Sequence, residues 1–412
     1  MSTYDWLDSE FNDSLVSRTG FTQLIATKPC TIPSAEYFRA KKRLQVIHDF
    51  QDRCIHLFRR ALEENNEELL KWLINETPIS LGLDYHKTLL NWHFTKPVFF
   101  RTDEMQFGKI AEIQCPGSHW GELELLYRYF MTEGNLSIAT APSTLFTKQL
   151  KQYLGGIQPI VCYLTDNSSA PTGVKYFINK TRPDIKYWGI DSGVCSLDCN
   201  FIRTHSFFSL CADNYFRIRL RESQPTFKYD FPPYVLFDQK ATLVLPFWSK
   251  TRDFFTDEIR NLIMFSTPLL TETIELEGGE HVTVKEFSSR PPSQRSYYLK
   301  YAGSDVSKNW GSRAVYRLRN ITSKCCEELL QTCLNCAQNG QIWLLQKELD
   351  SKCEIEYWDR TDTRKVGNKH VKYSAFYGPF GLIGMNSYYR DHYKVHGQYD
   401  TILSLVIPER DN

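Results

Sequence analysis

A chain of 412 residues is too long for one ordinary hydrophobic core and long enough for two or three subdomains. Hydrophobic residues at 42% and charged residues at 24% exclude a disordered or fibrous chain, and a formal net charge of +1 excludes a general attraction to nucleic acid or an anionic membrane. No apolar run is long enough to cross a bilayer, and the acidic, polar start Met1-Ser2-Thr3-Tyr4-Asp5 is unlike a secretory signal. A cytoplasmic protein is expected, its 12 cysteines reduced thiols with no disulfide framework.

Residues 1–95 read as mainly helical. Over Ser34–Glu63 the residues Phe38, Leu44, Ile47, Phe50, Ile55, Phe58 and Leu62 recur at helical spacing, and Glu67–Ile74 predicts a shorter helix. His48 and His56 share the longer helix, where histidines are more often packed or exposed than metal-binding. Next, Val98–Asp103 and Lys109–Gln114 predict two short strands around a reversal at Gly108. Strand alternation puts Arg101 and Asp103 on one face of the first, and Glu112 and Gln114 on one face of the second. An arginine for phosphate and three oxygen donors for a hard cation make one reading of this hairpin. A solvated sheet face with paired charges is the other.

Residues 120–155 are helical in pattern, with a stop at Gly155-Gly156. Ile157–Leu164 then predicts a buried strand, followed by the polar loop Thr165–Gly173, a helix and a second strand. Open α/β sheets bind ligands at the carboxyl ends of their strands, so this loop is either an acceptor-substrate loop or a solvated connector. The run from Leu236 to Phe247 reads as a strand leading to a helix capped by Thr256 or Asp257. Arg295–Tyr301 predicts a strand with Tyr298 and Lys300 on one face; a loop bearing Gly303, Gly311 and Ser312 separates it from a strand at Ala314–Leu318. Backbone N–H groups of such a loop can cover phosphates, although no Walker sequence is present. A lysine on an edge strand can equally serve only to block edge pairing. A helix over Ser323–Asn339 precedes a strand ending at Gln346-Lys347-Glu348, then strands at Cys353–Trp358, Val371–Phe376 and Thr401–Pro408. Cys325, Cys326, Cys333 and Cys336 fall in one helix with no second knuckle, which favours buried thiols over zinc.

Arg101-Thr102-Asp103 followed by Glu112-Ile113-Gln114 resembles the metal-binding stretch of ATP-grasp ligases of the glutathionylspermidine synthetase type, with Gln114 where that family has Asn. Tyr298-Leu299-Lys300 and the following loop resemble the phosphate-contacting strand and flap, with Tyr301 replacing a Pro and fewer glycines in the loop. Asp238-Gln239-Lys240 with Thr267-Pro268 looks like a loose version of the segment before the nucleotide-binding strands. Gln346-Lys347-Glu348 resembles the hinge that holds adenine by backbone groups, and Arg390 the second phosphate-binding arginine. The order, with Glu112 far ahead of Lys300, matches the permuted arrangement of that type.

The resemblance implies an α/β (α+β) fold with an ATP-grasp-like two-lobed nucleotide site, an α/β pre-ATP substrate domain and a helical N-terminal region. It divides the chain at 1–95, 96–156 (the metal-motif hairpin and helices), 157–235 (the Rossmann-like substrate domain) and 236–412 (the nucleotide lobes). It further implies ATP and Mg²⁺ as cofactors, the metal at Asp103, Glu112 and Gln114, and the nucleotide at Lys240, Lys300, Gly311, Ser312, Gln346, Lys347 and Glu348. Arg101 and Arg390 would act on the transferring group. The reaction implied is ATP-dependent joining of a carboxylate to an amine through an acylphosphate, on small molecules such as amino acids or a short peptide, with acceptor contacts from loops 117–121 and 165–173. The alternative is a non-catalytic nucleotide-binding relative, which Gln114, Tyr301 and the glycine-poor flap favour. Neither nucleic acid nor membrane is an expected partner.

Overall fold

The computed structural model describes residues 2–12, 23–74, 96–114, 119–133, 140–164, 172–188, 199–204, 228–230, 235–237, 239–303, 308, 313–395 and 400–409. In chain order the strands are β1 (Leu24–Ala26), β2 (Cys30–Ile32), β3 (Phe100–Gln106) and β4 (Lys109–Gln114); then β5 (Ile160–Leu164), β6 (Lys186–Trp188), β7 (Phe201–Thr204) and β8 (Lys228–Tyr229). They continue with β9 (Ser266–Leu269), β10 (Thr273–Glu275), β11 (His281–Thr283), β12 (Tyr297–Tyr301), β13 (Val315–Arg317) and β14 (Trp343–Lys347). The last four are β15 (Lys352–Trp358), β16 (Arg364–Gly378), β17 (Gly381–Arg390) and β18 (Ile402–Pro408).

The largest sheet runs β15-β1-β18-β17-β16-β3-β4, with β2 beside β18 and β15 also paired to β16. Its hydrophobic faces are covered differently. Helix Ser34–Glu64 buries Ala40, Leu44, Ile47, Phe50, Cys54 and Phe58, a stripe at helical spacing, in a core with Phe100, Tyr377 and Met385. On the other face Phe99 and Phe376 pack with Trp120, Leu123 and Phe146 from helices Trp120–Glu133 and Pro142–Tyr153. That second face goes on along β3 and β16, by strand alternation, to Arg101, Asp103, Ser374 and Lys372.

The second sheet, β13-β12-β14-β9, is antiparallel and backed by helix Ser323–Gln338. Tyr297, Leu299, Tyr301, Trp343 and Leu345 point into a core with Cys326, Leu330 and Cys333 of that helix, so alternation turns Tyr298, Lys300 and Gln346 the opposite way. Burial pushes the Cys333 thiol up to about 12, as expected of a packed cysteine. The two sheets meet where Ile110 of β4 bridges Ile263 and the Met264 N–H donates to the Ile110 carbonyl. A third sheet, β6-β5-β7-β8, is wholly parallel, with helix Thr172–Thr181 between β5 and β6.

Several expectations are redrawn by the long-range pairing. The N-terminal region contributes β1 and β2 as well as helices, and β15–β18 of the last segment join β1–β4 and not the second sheet. Val235–Phe237 and Ala241–Val244 form short 3₁₀ turns where a strand was expected. Leu243 and Val244 pack into the core with Trp72, whose indole N–H donates to the Ala241 carbonyl at 2.9 Å, so burial is satisfied without a sheet edge.

Candidate functional site

The β3–β4 hairpin sets Asp103 opposite Glu112 and Arg101 opposite Gln114, and β16 sets Ser374 opposite Asp103. The fully buried Arg101 donates from Nε to Asp103 Oδ1 at 2.9 Å and from Nη2 to Asp103 Oδ2 at 3.1 Å and Gln114 Oε1 at 2.5 Å. Lys372 Nζ reaches Asp103 Oδ2 at 2.7 Å and the Ser374 hydroxyl reaches Oδ1 at 2.7 Å. Burial works to raise the Asp103 carboxyl, but Arg101 and Lys372 with these hydrogen bonds hold it far below the usual carboxylate range. Lys240 Nζ lies 3.1 Å from Glu112 Oε1. Glu112 is likewise lowered: burial opposes ionisation, and Lys240 and Lys300 overcome it.

Across the cleft, Lys300 Nζ on β12 donates to Gln346 Oε1 on β14 at 2.6 Å. The Gln346 amide donates in turn to the Ala111 carbonyl of β4 at 3.2 Å and to Ser266 Oγ at 3.1 Å, which ties the sheets together beside the lysine. Burial, with Lys240 and Lys372 nearby, pushes Lys300 down to about 8 against the pull of Glu112 and Asp103. Arg101, Asp103, Glu112, Gln114, Lys240, Lys300 and Gln346 are therefore one constellation built from two sheets. Lys372, Ser374 and Tyr388, whose ring lies 4.8 Å from Lys372 Nζ, complete it.

The remaining expected residues fall elsewhere. Lys347 lies on the opposite face of β14 from Gln346, 3.4 Å from Glu277. The N–H groups of Lys347 and Glu348 donate to the Phe265 and Ser296 carbonyls, so these two hinge donors are already used. Glu348 Oε1 accepts from Arg317 Nε at 2.9 Å and Arg319 Nη1 at 3.3 Å, while its buried Oε2 has no hydrogen-bond partner. Arg390, at the end of β17, holds Asp400 Oδ2 at 2.7 Å and the Lys394 carbonyl at 2.9 Å. It clasps the segment after β17 where a phosphate contact was expected. In that segment Tyr393 stacks on Tyr298 at 5.8 Å, so the large sheet's outgoing loop touches the second sheet two residues from Lys300. Gly311, Ser312, Asp238 and the loop positions 115–118 and 165–171 lie outside the described residues.

Most of the oxygens expected to hold magnesium are engaged. Both Asp103 oxygens, Glu112 Oε1 and Gln114 Oε1 accept from Arg101, Lys372, Ser374 or Lys240. Among the described residues no group of three or more His, Cys, Asp or Glu side chains could hold a metal ion. As arranged, Asp103, Gln114 and Glu112 Oε1 fit a bare divalent cation only if these contacts are given up. Four cations, Arg101, Lys240, Lys300 and Lys372, outnumber the carboxylates Asp103 and Glu112 with Glu122 near Arg101, a balance that suits an anion. A separate groove of about 590 Å³ lies on the Lys347 side of β14, but its Lys347 and Arg252 are paired with Glu277 and Glu275.

No family model and no curated protein matches the sequence. Among solved structures, the chain is similar to a glutathione synthetase-like effector, GSS30, from Globodera pallida in its apoform, with a TM-score of 0.55 at 12% identity, over 98% of this chain and 94% of that one. The chain shares the overall fold of that effector. At this identity the likeness speaks for the fold alone, which is compatible with the ATP-grasp-like architecture implied by the motif order. Among the described residues, no helix is long and apolar enough to cross a membrane.

Proposed function

We propose that the cleft between β3, β4 and β16 on one side and β12 and β14 on the other binds the phosphates of ATP, and that the protein is an ATP-dependent carboxylate–amine ligase. The carrying observation is the convergence of Arg101, Lys240, Lys300 and Lys372 on one buried spot from separate parts of the chain. In this reading Lys300, steadied by Gln346, and Lys240 hold the phosphates, and Arg101 orients the substrate carboxylate or the transferring group. The bond from the γ-phosphorus to its bridging oxygen breaks as a carboxylate oxygen bonds to that phosphorus, leaving ADP and an acylphosphate. An amine nitrogen then forms the amide at the carbonyl carbon, loses a proton and expels inorganic phosphate. The carboxylate and amine belong to small molecules such as amino acids or a short peptide. Glu348, with its unpartnered Oε2, suits a nucleoside hydroxyl.

The test is ADP and phosphate release from ATP with pooled amino acids, small peptides and polyamines. Release that requires a pool and falls at least about 100-fold in Lys300→Met is expected, the scale seen on losing one transition-state contact. Pool-independent ATP binding with no release would instead support nucleotide binding without turnover. The engagement of Asp103 by Lys372 and of Glu112 by Lys240 favours that second reading.

A further inference from the structure

The three oxygen donors on the β3–β4 hairpin form a set that in chemical type could hold a hard divalent cation. Here that set is filled from within. Lys372 reaches across from β16 to Asp103, Lys240 arrives from the turn before Ala241–Val244 to meet Glu112, and Arg101 spans Asp103 and Gln114. Asp103 is 3% exposed and Lys240 6%, while their partners Lys372 and Glu112 are partly buried, so the Asp103–Lys372 pair is well shielded from water and the Lys240–Glu112 pair less so. Arg101 is tied to Asp103 on one side and Gln114 on the other, and Lys240 to Glu112, which fixes these positive charges in place before any ligand arrives. Further along, Glu122 Oε1 meets His119 Nδ1 at 3.1 Å while its buried Oε2 has no hydrogen-bond partner, so a third carboxylate stands near Arg101 beside the filled hairpin donors.

We infer that Lys240 and Lys372 stand where a divalent cation would otherwise neutralise charge, so that the cleft binds a nucleoside triphosphate without needing magnesium. This rests on the proposed reading of the cleft as a phosphate site and specifies its ionic requirement. A magnesium ion taking all three donors would have to displace two ammonium groups and a guanidinium from Asp103, Glu112 Oε1 and Gln114, leaving those cations uncompensated. A polyphosphate, by contrast, needs only to approach an assembled group of four cations, each able to donate charge-assisted hydrogen bonds. The arrangement also predicts weak binding of a metal ion by the free protein. In a site designed for metal, the carboxylates would be the tightest ligands; here they are the counter-ions.

The experiment is calorimetric titration of the full chain with ATP in EDTA and in excess magnesium, with manganese titration of the free protein followed by its electron spin resonance signal. Dissociation constants for ATP that agree within about threefold in the two conditions are expected, together with no manganese binding tighter than millimolar. In Lys372→Met, ATP binding in EDTA should weaken at least tenfold and recover on adding magnesium, because Asp103 is then open to the ion. Lys372→Arg, which keeps the charge and guards against a folding defect in the first variant, should bind in EDTA like the wild type. ATP binding that is at least 30-fold weaker in EDTA, or micromolar manganese binding by the free protein, overturns the inference while leaving the phosphate-site reading intact. Absence of ATP binding in both conditions overturns both.

Discussion

Lys300 is where chemistry at the scale of one residue is most exposed to measurement. Its ammonium is pushed down to about 8 by burial and by Lys240 and Lys372, so near that pH roughly half of the free protein carries it neutral. An incoming phosphate favours the charged form. Binding of ATP at pH 8 to 8.5 should therefore take up a proton, and affinity should fall as pH rises from 7 toward 9.5. Calorimetry in two buffers of different ionisation enthalpy reads the uptake directly, and Lys300→Met should abolish it. Proton-neutral binding by the wild type would remove Lys300 from the phosphate contacts. Much of this site was legible in the sequence, because R-x-D and E-x-Q placed Arg101, Asp103, Glu112 and Gln114 on common strand faces by alternation alone. Lys372 and Ser374 were not. Their strand could be read, but the partner that brings them to Asp103 lies more than 260 residues away and leaves no local mark.

Elements hold that residue cluster in place through a few close contacts. Helices Trp120–Glu133 and Thr172–Thr181 approach so tightly that a β-carbon at Gly121 would lie 2.0 Å from the Gly173 carbonyl oxygen. Backbone cannot swing aside as a side chain can. Gly121→Ala should separate the two helices and cost about 1–3 kcal/mol, the usual scale for overpacking, read as a lower denaturant midpoint. A second tie is Asp230, which accepts the Phe99 N–H at 3.0 Å ahead of β3 while its own N–H donates to the Ile202 carbonyl of β7. Burial raises its carboxyl to about 7, against the pull of nearby Arg203. With the folded value above the unfolded one, its contribution to stability is full below about pH 4 and is lost as pH rises through 7. Asp230→Asn should therefore lose more stability relative to wild type at pH 5 than at pH 8, as chemical denaturation at the two values would show. An equal gap at both would mean Asp230 does not titrate there. Helix and strand texture around these ties was readable from periodicity, as Ser34–Glu64, Glu67–Ile74 and β4 show. The stretch around Ala241–Val244 misled because a run of buried side chains satisfies a strand and a set of tight turns equally well.

For the whole molecule, motif order carried information that division by chain position did not. A contiguous N-terminal region and a contiguous nucleotide lobe give way to one sheet sewn from both ends of the chain, with β1 beside β18 and β3 beside β16. Loop-closing pairings over that distance are set by packing of whole faces and are invisible in any local window. The cleft between the two sheets is proposed to receive ATP. Hydrogen exchange with and without ATP tests it most directly. Slower exchange is expected in peptides covering Tyr297–Tyr301, Trp343–Lys347 and Lys372–Ser374, with the groove residues around Arg252 and Glu277 unchanged. Protection confined to that groove, or no protection at saturating ATP, would contradict it.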